Sequence, residues 1–242
     1  MNDPTINAVL DGDVKSIEWV GMEFTPSLID GGGADTGGPN RLPHGRTTWV
    51  PGSSSTPAIL TFNPVRRPQG QPWDNSYNYN TLTRTKLTGS YYGHQFMFAL
   101  PTPKDVTNCN AVEFELELCE AGLLYNMAWQ WKPSNIDGPP GWRIFDKSKE
   151  KWIAQPQIPF TAPIPGAFVE VSARFRVDRN LKQTWHDSVV IGGKYFPINA
   201  SAAAPMKWSP KTWYLHHAVQ PDSLGKGAPF SVLIKNWNAR ML

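Results

Sequence analysis

Residues 111–131 read AVEFELELCEAGLLYNMAWQW. Glu113, Glu115 and Glu117 alternate with Phe114, Leu116 and Leu118. This period of two belongs to a β-strand, with three carboxylates on one face and three apolar side chains on the other. Like charges lined up on one face repel, so cross-strand neighbours have to compensate them. Crowding of this kind raises the pKa of at least one carboxyl, as a general acid near neutral pH requires. Acidic residues on the solvent face of an antiparallel strand are also ordinary. After Ala121-Gly122 the run 123–131 predicts a second strand that pairs with the first. There Trp129 and Gln130 point to opposite faces, so at most one of them shares the carboxylates' face.

Outward from this segment the same signal recurs. Strands are predicted over 58–62, 76–87, 91–99, 142–145, 151–154, 167–177, 183–191, 194–198, 213–220 and 229–237. The run AFVEVSARFRV at 167–177 alternates over its whole length, and Gly192-Gly193 sits between two apolar runs as a hairpin loop. A strand is also expected over 17–24, within a loop-rich N-terminal segment 1–57 that contains GGGADTGG at 31–38 and PGSSSTP at 51–57. No Lys-Ser/Thr follows the glycine run, so it reads as a surface loop and not a phosphate cradle. With 23 Pro and 20 Gly spread along 242 residues, long helices are excluded. Many short strands with Pro/Gly turns indicate an all-β sandwich or barrel, read here as one domain over 1–242.

Composition narrows the partners. The formal net charge is only +3, and the densest basic clusters are Arg66-Arg67 and the interrupted stretch 147–151, so nucleic acid is not an expected partner. No apolar run approaches the 18 residues of a membrane span, and no membrane partner is expected. The two cysteines, Cys109 and Cys119, fall at opposite ends of one predicted strand, roughly 30 Å apart if extended, and are expected to be unpaired. Residues 1–16 lack a basic start and an apolar stretch of signal length. An extracellular or periplasmic location is the expectation, with a cytoplasmic one left open.

The motif E-F-E-L-E at 113–117 resembles the signature strand of laminarinase and lichenase-type glycoside hydrolases, which belong to the concanavalin A-like superfamily. That resemblance implies a jelly-roll β-sandwich of two antiparallel sheets. It also implies a retaining, endo-acting hydrolase on a β-linked polysaccharide, with Glu113 as nucleophile, Glu117 as acid/base and Glu115 between them. A Glu stands where the family has Asp, and the family's Trp-Pro…Gly lead-in is replaced by 108–112. A second resemblance covers roughly 70–237. E-F-E at 113–115, G-x-x-Y…Q at 122–130, W-x-x-F-D…W at 142–152, AVQPD at 218–222 and PFSV at 229–232 are similar to bacterial concanavalin A-like domains in which the position of Glu117 is not reliably acidic. It implies the fold more than an activity.

A polysaccharide or oligosaccharide is the expected ligand and a monomer the expected state. Candidate substrate-binding residues are Trp73, Asn75, Tyr77 and Tyr79 of WDNSYNYN, Trp129 and Gln130, and His216 and Gln220 of one late strand. Trp and Tyr rings can stack on sugars, while Asn, Gln and His can bond to hydroxyls. No metal-ligand set is expected among them and no cofactor beyond a structural calcium, which the fold sometimes carries. A non-catalytic glycan-binding module using the same cleft is the alternative. A polysaccharide lyase is the third reading, for which His94, Tyr92 and Gln95, with Arg84 or Arg174 to neutralise a uronate carboxylate, form a possible set.

Overall fold

The computed structural model describes residues 45–241, apart from 51, 53–55, 68–72, 77, 84–85, 137, 147–148, 150, 204 and 208–212. The strand expected over 17–24 and the glycine run at 31–38 lie outside the described residues. The described strands form two antiparallel sheets. One has seven strands in the order β1 (Arg46–Val50), β2 (Ala58–Asn63), β15 (Phe230–Met241), β5 (Tyr91–Ala99), β10 (Val169–Asp178), β11 (Gln183–Ile191) and β12 (Lys194–Ala203). The other runs β3 (Asp74–Asn75), β14 (Trp213–Ser223), β6 (Cys109–Glu120), β7 (Leu123–Lys132), β8 (Gly141–Asp146) and β9 (Lys151–Ala154). To this second sheet β4 (Asn78–Thr83) adds along β14, and β13 (Met206–Lys207) along β7.

Alternation fixes which side chains enter the space between the sheets. From β6 it takes Val112, Phe114, Leu116 and Leu118, and from β10 Val171, Ala173, Phe175 and Val177, all buried. Phe96 of β5 stacks on Phe114 across the sandwich with ring centroids 4.0 Å apart, and Phe98 meets Trp131 and Trp142 edge-on. Burial of aromatics on this scale is the main source of stability in a two-sheet fold. Cys109 and Cys119, near the two ends of β6, are buried and not joined in a disulfide.

The turns follow from their residues. Gly192 and Gly193 both take positive φ between β11 and β12, the twist a two-residue hairpin demands. Ala121-Gly122 does the same between β6 and β7, with Ala121 at φ 50°. One helix, α1 (Pro103–Asn108), was not among the expected elements. Its signal is the T-P-K-D start: Thr102 and Asp105 form a capping box, with Pro103 at the first turn. Asp105 also accepts the Ser231 amide at 2.7 Å, which fastens the helix to β15.

Candidate functional site

The site is the face of the eight-stranded sheet that turns away from the core, and its centre is the carboxylate row of β6. Register determines each neighbour. Glu113 lies opposite Gln130 on β7 and Gln220 on β14. Glu115 lies between Ala128 and Ala218, and Glu117 between Asn126 and His216. One step beyond Glu113, Asp222 pairs with Ala111 on one side and Asn75 on the other. Ala128 and Ala218 flank Glu115, which is buried.

Glu113 is clamped. Gln130 Nε2 donates to its Oε1 and Gln220 Nε2 to its Oε2, each at 2.8 Å. The same Gln220 nitrogen reaches Asp222 Oδ1 at 3.3 Å. Asp222 is the charged neighbour that acts most strongly on Glu113. Burial, then the charges of Asp222 and Glu115, push the Glu113 carboxyl well above the usual carboxylate range. Burial likewise raises Asp222. The two form an acid pair that keeps a proton at neutral pH.

A different environment surrounds the other two glutamates. Asn126 Nδ2 donates to Glu115 Oε2 at 2.5 Å and to Glu117 Oε1 at 3.2 Å. His216 Nδ1 stands 4.0 Å from Glu117 Oε2, and the Tyr214 ring stacks on His216 with centroids 3.9 Å apart. The row therefore divides into a proton-holding end at Glu113–Asp222 and an amide-bridged end at Glu115–Glu117.

One expectation is corrected. Trp129 does not line this face: it pairs with Phe114, is 0% exposed and meets His186 edge-on in the core. The parity of β7 gives the outward position to Gln130. Glu113 accepts from both Gln130 and Gln220, donors that favour its ionised form against the burial that raises it. The described members of the lyase set belong to the seven-stranded sheet. His94 is buried in the core against His217, Tyr92 accepts from Arg179 there, and Gln95 donates to Glu170 on that sheet's opposite face. Arg174 lies on the same sheet beside Asp187, while Arg84 is outside the described residues.

Asn75, Gln130, His216 and Gln220 are together on the outward face. Trp73 is 41% exposed just ahead of β3. Tyr79 pairs with Ala218 in the row of Glu115, and Tyr77 is outside the described residues. Asp222, Asn126 and Tyr214 are the members that sequence reasoning missed as site residues. Asp222 follows Gln220 at a spacing of two, a same-face signal that becomes specific only when β14 is known to pair with β6. Among the described residues no group of three or more His, Cys, Asp or Glu side chains is placed to hold a metal ion.

No family model matches the chain, and no curated protein matches it. Solved structures do. Alginate lyase vAL-1 from Chlorella virus superposes with a TM-score of 0.51 at 8% identity, over 82% of this chain and 90% of that one. A variant of alginate lyase Aly36B in complex with alginate trisaccharide gives 0.49 at 10% identity, over 81% and 88%. Lectin UEA-II complexed with galactose gives 0.41 at 9%, over 82% and 92%. The class this defines is one of fold: the chain is a concanavalin A-like jelly roll, two antiparallel sheets packed face to face.

Proposed function

We propose that this is a carbohydrate-active protein that binds a polysaccharide segment across the outward face of the eight-stranded sheet and hydrolyses a β-glycosidic bond there. The observation that carries the reading is the division of one carboxylate row into a proton-sharing pair, Glu113–Asp222, and a neighbouring amide-bridged pair. Environments that separate two acids on one face are the means by which such sites assign acid and base. Glu113 is then the general acid, donating to the leaving oxygen with Asp222 beside it. Glu115, between Ala128 and Ala218, is the carboxylate that activates water.

This exchanges the role that the family resemblance implies for Glu113, and it changes the expected stereochemistry. Residues two apart on a strand have Cα atoms about 7 Å apart. Glu113 is drawn toward Asp222 and Glu115 toward Asn126, in opposite directions along β6. A separation of about 6.5–9.5 Å leaves room for water and suits inversion, whereas retention wants about 5 Å. The fold shared with sugar-binding and sugar-cleaving proteins supports a glycan ligand without naming it.

A lyase is the second reading, favoured by the stacked Tyr214–His216 pair, which together with Gln220 supplies a Tyr/His/Gln set along β14. Against it, a face carrying Glu113, Glu115, Glu117 and Asp222 repels the uronate carboxylate that a lyase must bind. A polysaccharide panel assayed for reducing ends, for unsaturated uronate and for the anomer first released tests both. The hydrolase reading expects reducing ends from a neutral β-glucan, an inverted anomer and no unsaturated product. Unsaturated product from a polyuronate, lost in His216→Ala, would replace it with the lyase. Saturable binding without any product would reduce the site to a lectin.

A further inference from the structure

The outward face of the eight-stranded sheet continues past the carboxylate row. One ladder runs Gln220, Glu113, Gln130, Arg143 and Ala154 across β14, β6, β7, β8 and β9. Outward positions on β8 are therefore Arg143 and Phe145, while Trp142, Ile144 and Asp146 are buried on the other side. Phe145 lies opposite Trp152 of the edge strand β9, with ring centroids 5.1 Å apart and planes inclined at 57°. Both rings are only partly buried. Phe114, Tyr125, Trp129, Trp131 and Trp142 of β6, β7 and β8 all face inward and are buried, so this pair differs in direction and in access. Register carried one step past Trp129 and Ile144 sets Phe145 level with Ala128, and so with Glu115. At about 4.8 Å per strand, Phe145 stands roughly 10 Å and Trp152 roughly 14 Å from β6 along that line.

We propose that Phe145 and Trp152 form a distal stacking subsite for a neutral, β-linked glucan chain that crosses the strands from the carboxylate row. This rests on the reading of that row as a glycan site. A pyranose with equatorial hydroxyls has flat C–H faces. Covering one of them with an aromatic ring removes apolar area from water and leaves the hydroxyls solvated. Rings inclined to one another offer a floor and a wall, so a sugar lies on one while the other borders it. Charge adds little to this contact. Arg143, the preceding outward residue of β8, donates to the Pro139 carbonyl at 3.1 Å, which ties it to the 138–141 turn. Two to three strands separate the rings from the bond to be cut, so they hold the chain without touching the reacting atoms. Binding of that kind is equal in ground and transition states, and it acts on KM and on the chain length required rather than on kcat.

Calorimetric titration of the whole chain carrying Glu113→Gln, to prevent cleavage, with a length series of mixed-linkage β-glucan oligosaccharides tests the subsite. Affinity should rise about tenfold once the oligosaccharide is long enough to reach β9, the scale of one aromatic contact, and the gain should survive added salt. Adding Trp152→Ala should remove that gain and leave the shortest binding oligosaccharide unaffected, while Trp152→Phe, which keeps a ring, should retain most of it. With Glu113 intact, Trp152→Ala should raise KM for the polymer about tenfold at unchanged kcat. The Trp152 indole resonance should shift with the longer oligosaccharides alone. A resonance unmoved by all of them overturns the subsite even if Trp152→Ala does not fold. Binding that is the same at every length with and without the Trp152 ring overturns the subsite and leaves the glycan site standing. A gain confined to an oligoglucuronate and abolished by salt would assign the contact to Arg143 and overturn the stacking proposal. No binding by any oligosaccharide overturns the glycan reading and the subsite together.

Discussion

Glu113 and Asp222 set the pH behaviour of the site. Both carboxyls have folded-state pKa values raised above their unfolded ones, so their contribution to stability is complete at low pH and is lost as pH rises through the folded values. With Asp222 raised to about 7, its contribution should be lost between about pH 4 and 7, at about 1.4 kcal/mol per pH unit for the extra proton the folded state holds. Activity that depends on the Glu113 proton should fall as pH rises through that carboxyl's raised titration. Glu113→Gln should flatten the stability profile and reduce turnover by a factor of about 100 or more. Denaturant melts across pH, paired with reducing-end assays, read both effects. Ala121 is a second local test. It is held at φ 50°, which an L side chain adopts at a cost of roughly 1–2 kcal/mol. Ala121→Gly should therefore stabilise the hairpin by about 0.5 kcal/mol net of the glycine's extra freedom, visible as a small rise in Tm.

Strands explain which rings serve the core. Trp129 lies opposite Phe114 and faces inward, so Trp129→Ala should cost about 3–5 kcal/mol in a chemical melt. Trp73, exposed ahead of β3, should cost within about 0.5 kcal/mol when truncated, with any effect appearing in glycan affinity instead. The sequence already contained most of this at the level of the strand. Strict alternation marked β6 and β10, and a Gly-Gly pair marked the β11–β12 turn. What it lacked was register between distant strands. Gln130 and Trp129 are adjacent, and only the pairing of Glu113 with Gln130 decides which of them faces the carboxylates. Asp222 stands more than a hundred residues from Glu113, so its partnership exists only once β14 lies beside β6. Register likewise separates Tyr92 and His94, which face the core, from Gln95, which faces outward, so those three do not converge. β12 ran longer than expected because an edge position tolerates Pro197 within a strand.

Across the whole sandwich, three histidines sit in the space between the sheets. His94 from one sheet and His217 from the other meet with ring centroids 4.3 Å apart, and His186 packs against Trp129 and Phe175. Burial pushes His94 and His186 down to about 3 and His217 well below its ordinary value. These shifts run opposite in sign to those of the carboxyl pair: the stability they contribute is present above about pH 6.5 and is lost as pH falls toward 3. Between about pH 4 and 6.5 the three histidines oppose the two carboxyls, so stability should fall toward acid with the slope of only about one proton, and His186→Leu should flatten that limb. Denaturant midpoints between pH 7 and 4 measure this.

The central claim is that a glycan occupies the outward face of the eight-stranded sheet at the Glu113–Asp222 pair. The side-chain amide resonances of Gln130, Gln220 and Asn126 report on that face directly, because all three bond to its carboxylates. Titrating the Glu113→Gln variant with mixed-linkage β-glucan oligosaccharides should shift those three amides saturably while the core indole of Trp129 stays fixed. Saturable binding that leaves all three amides unmoved would contradict it.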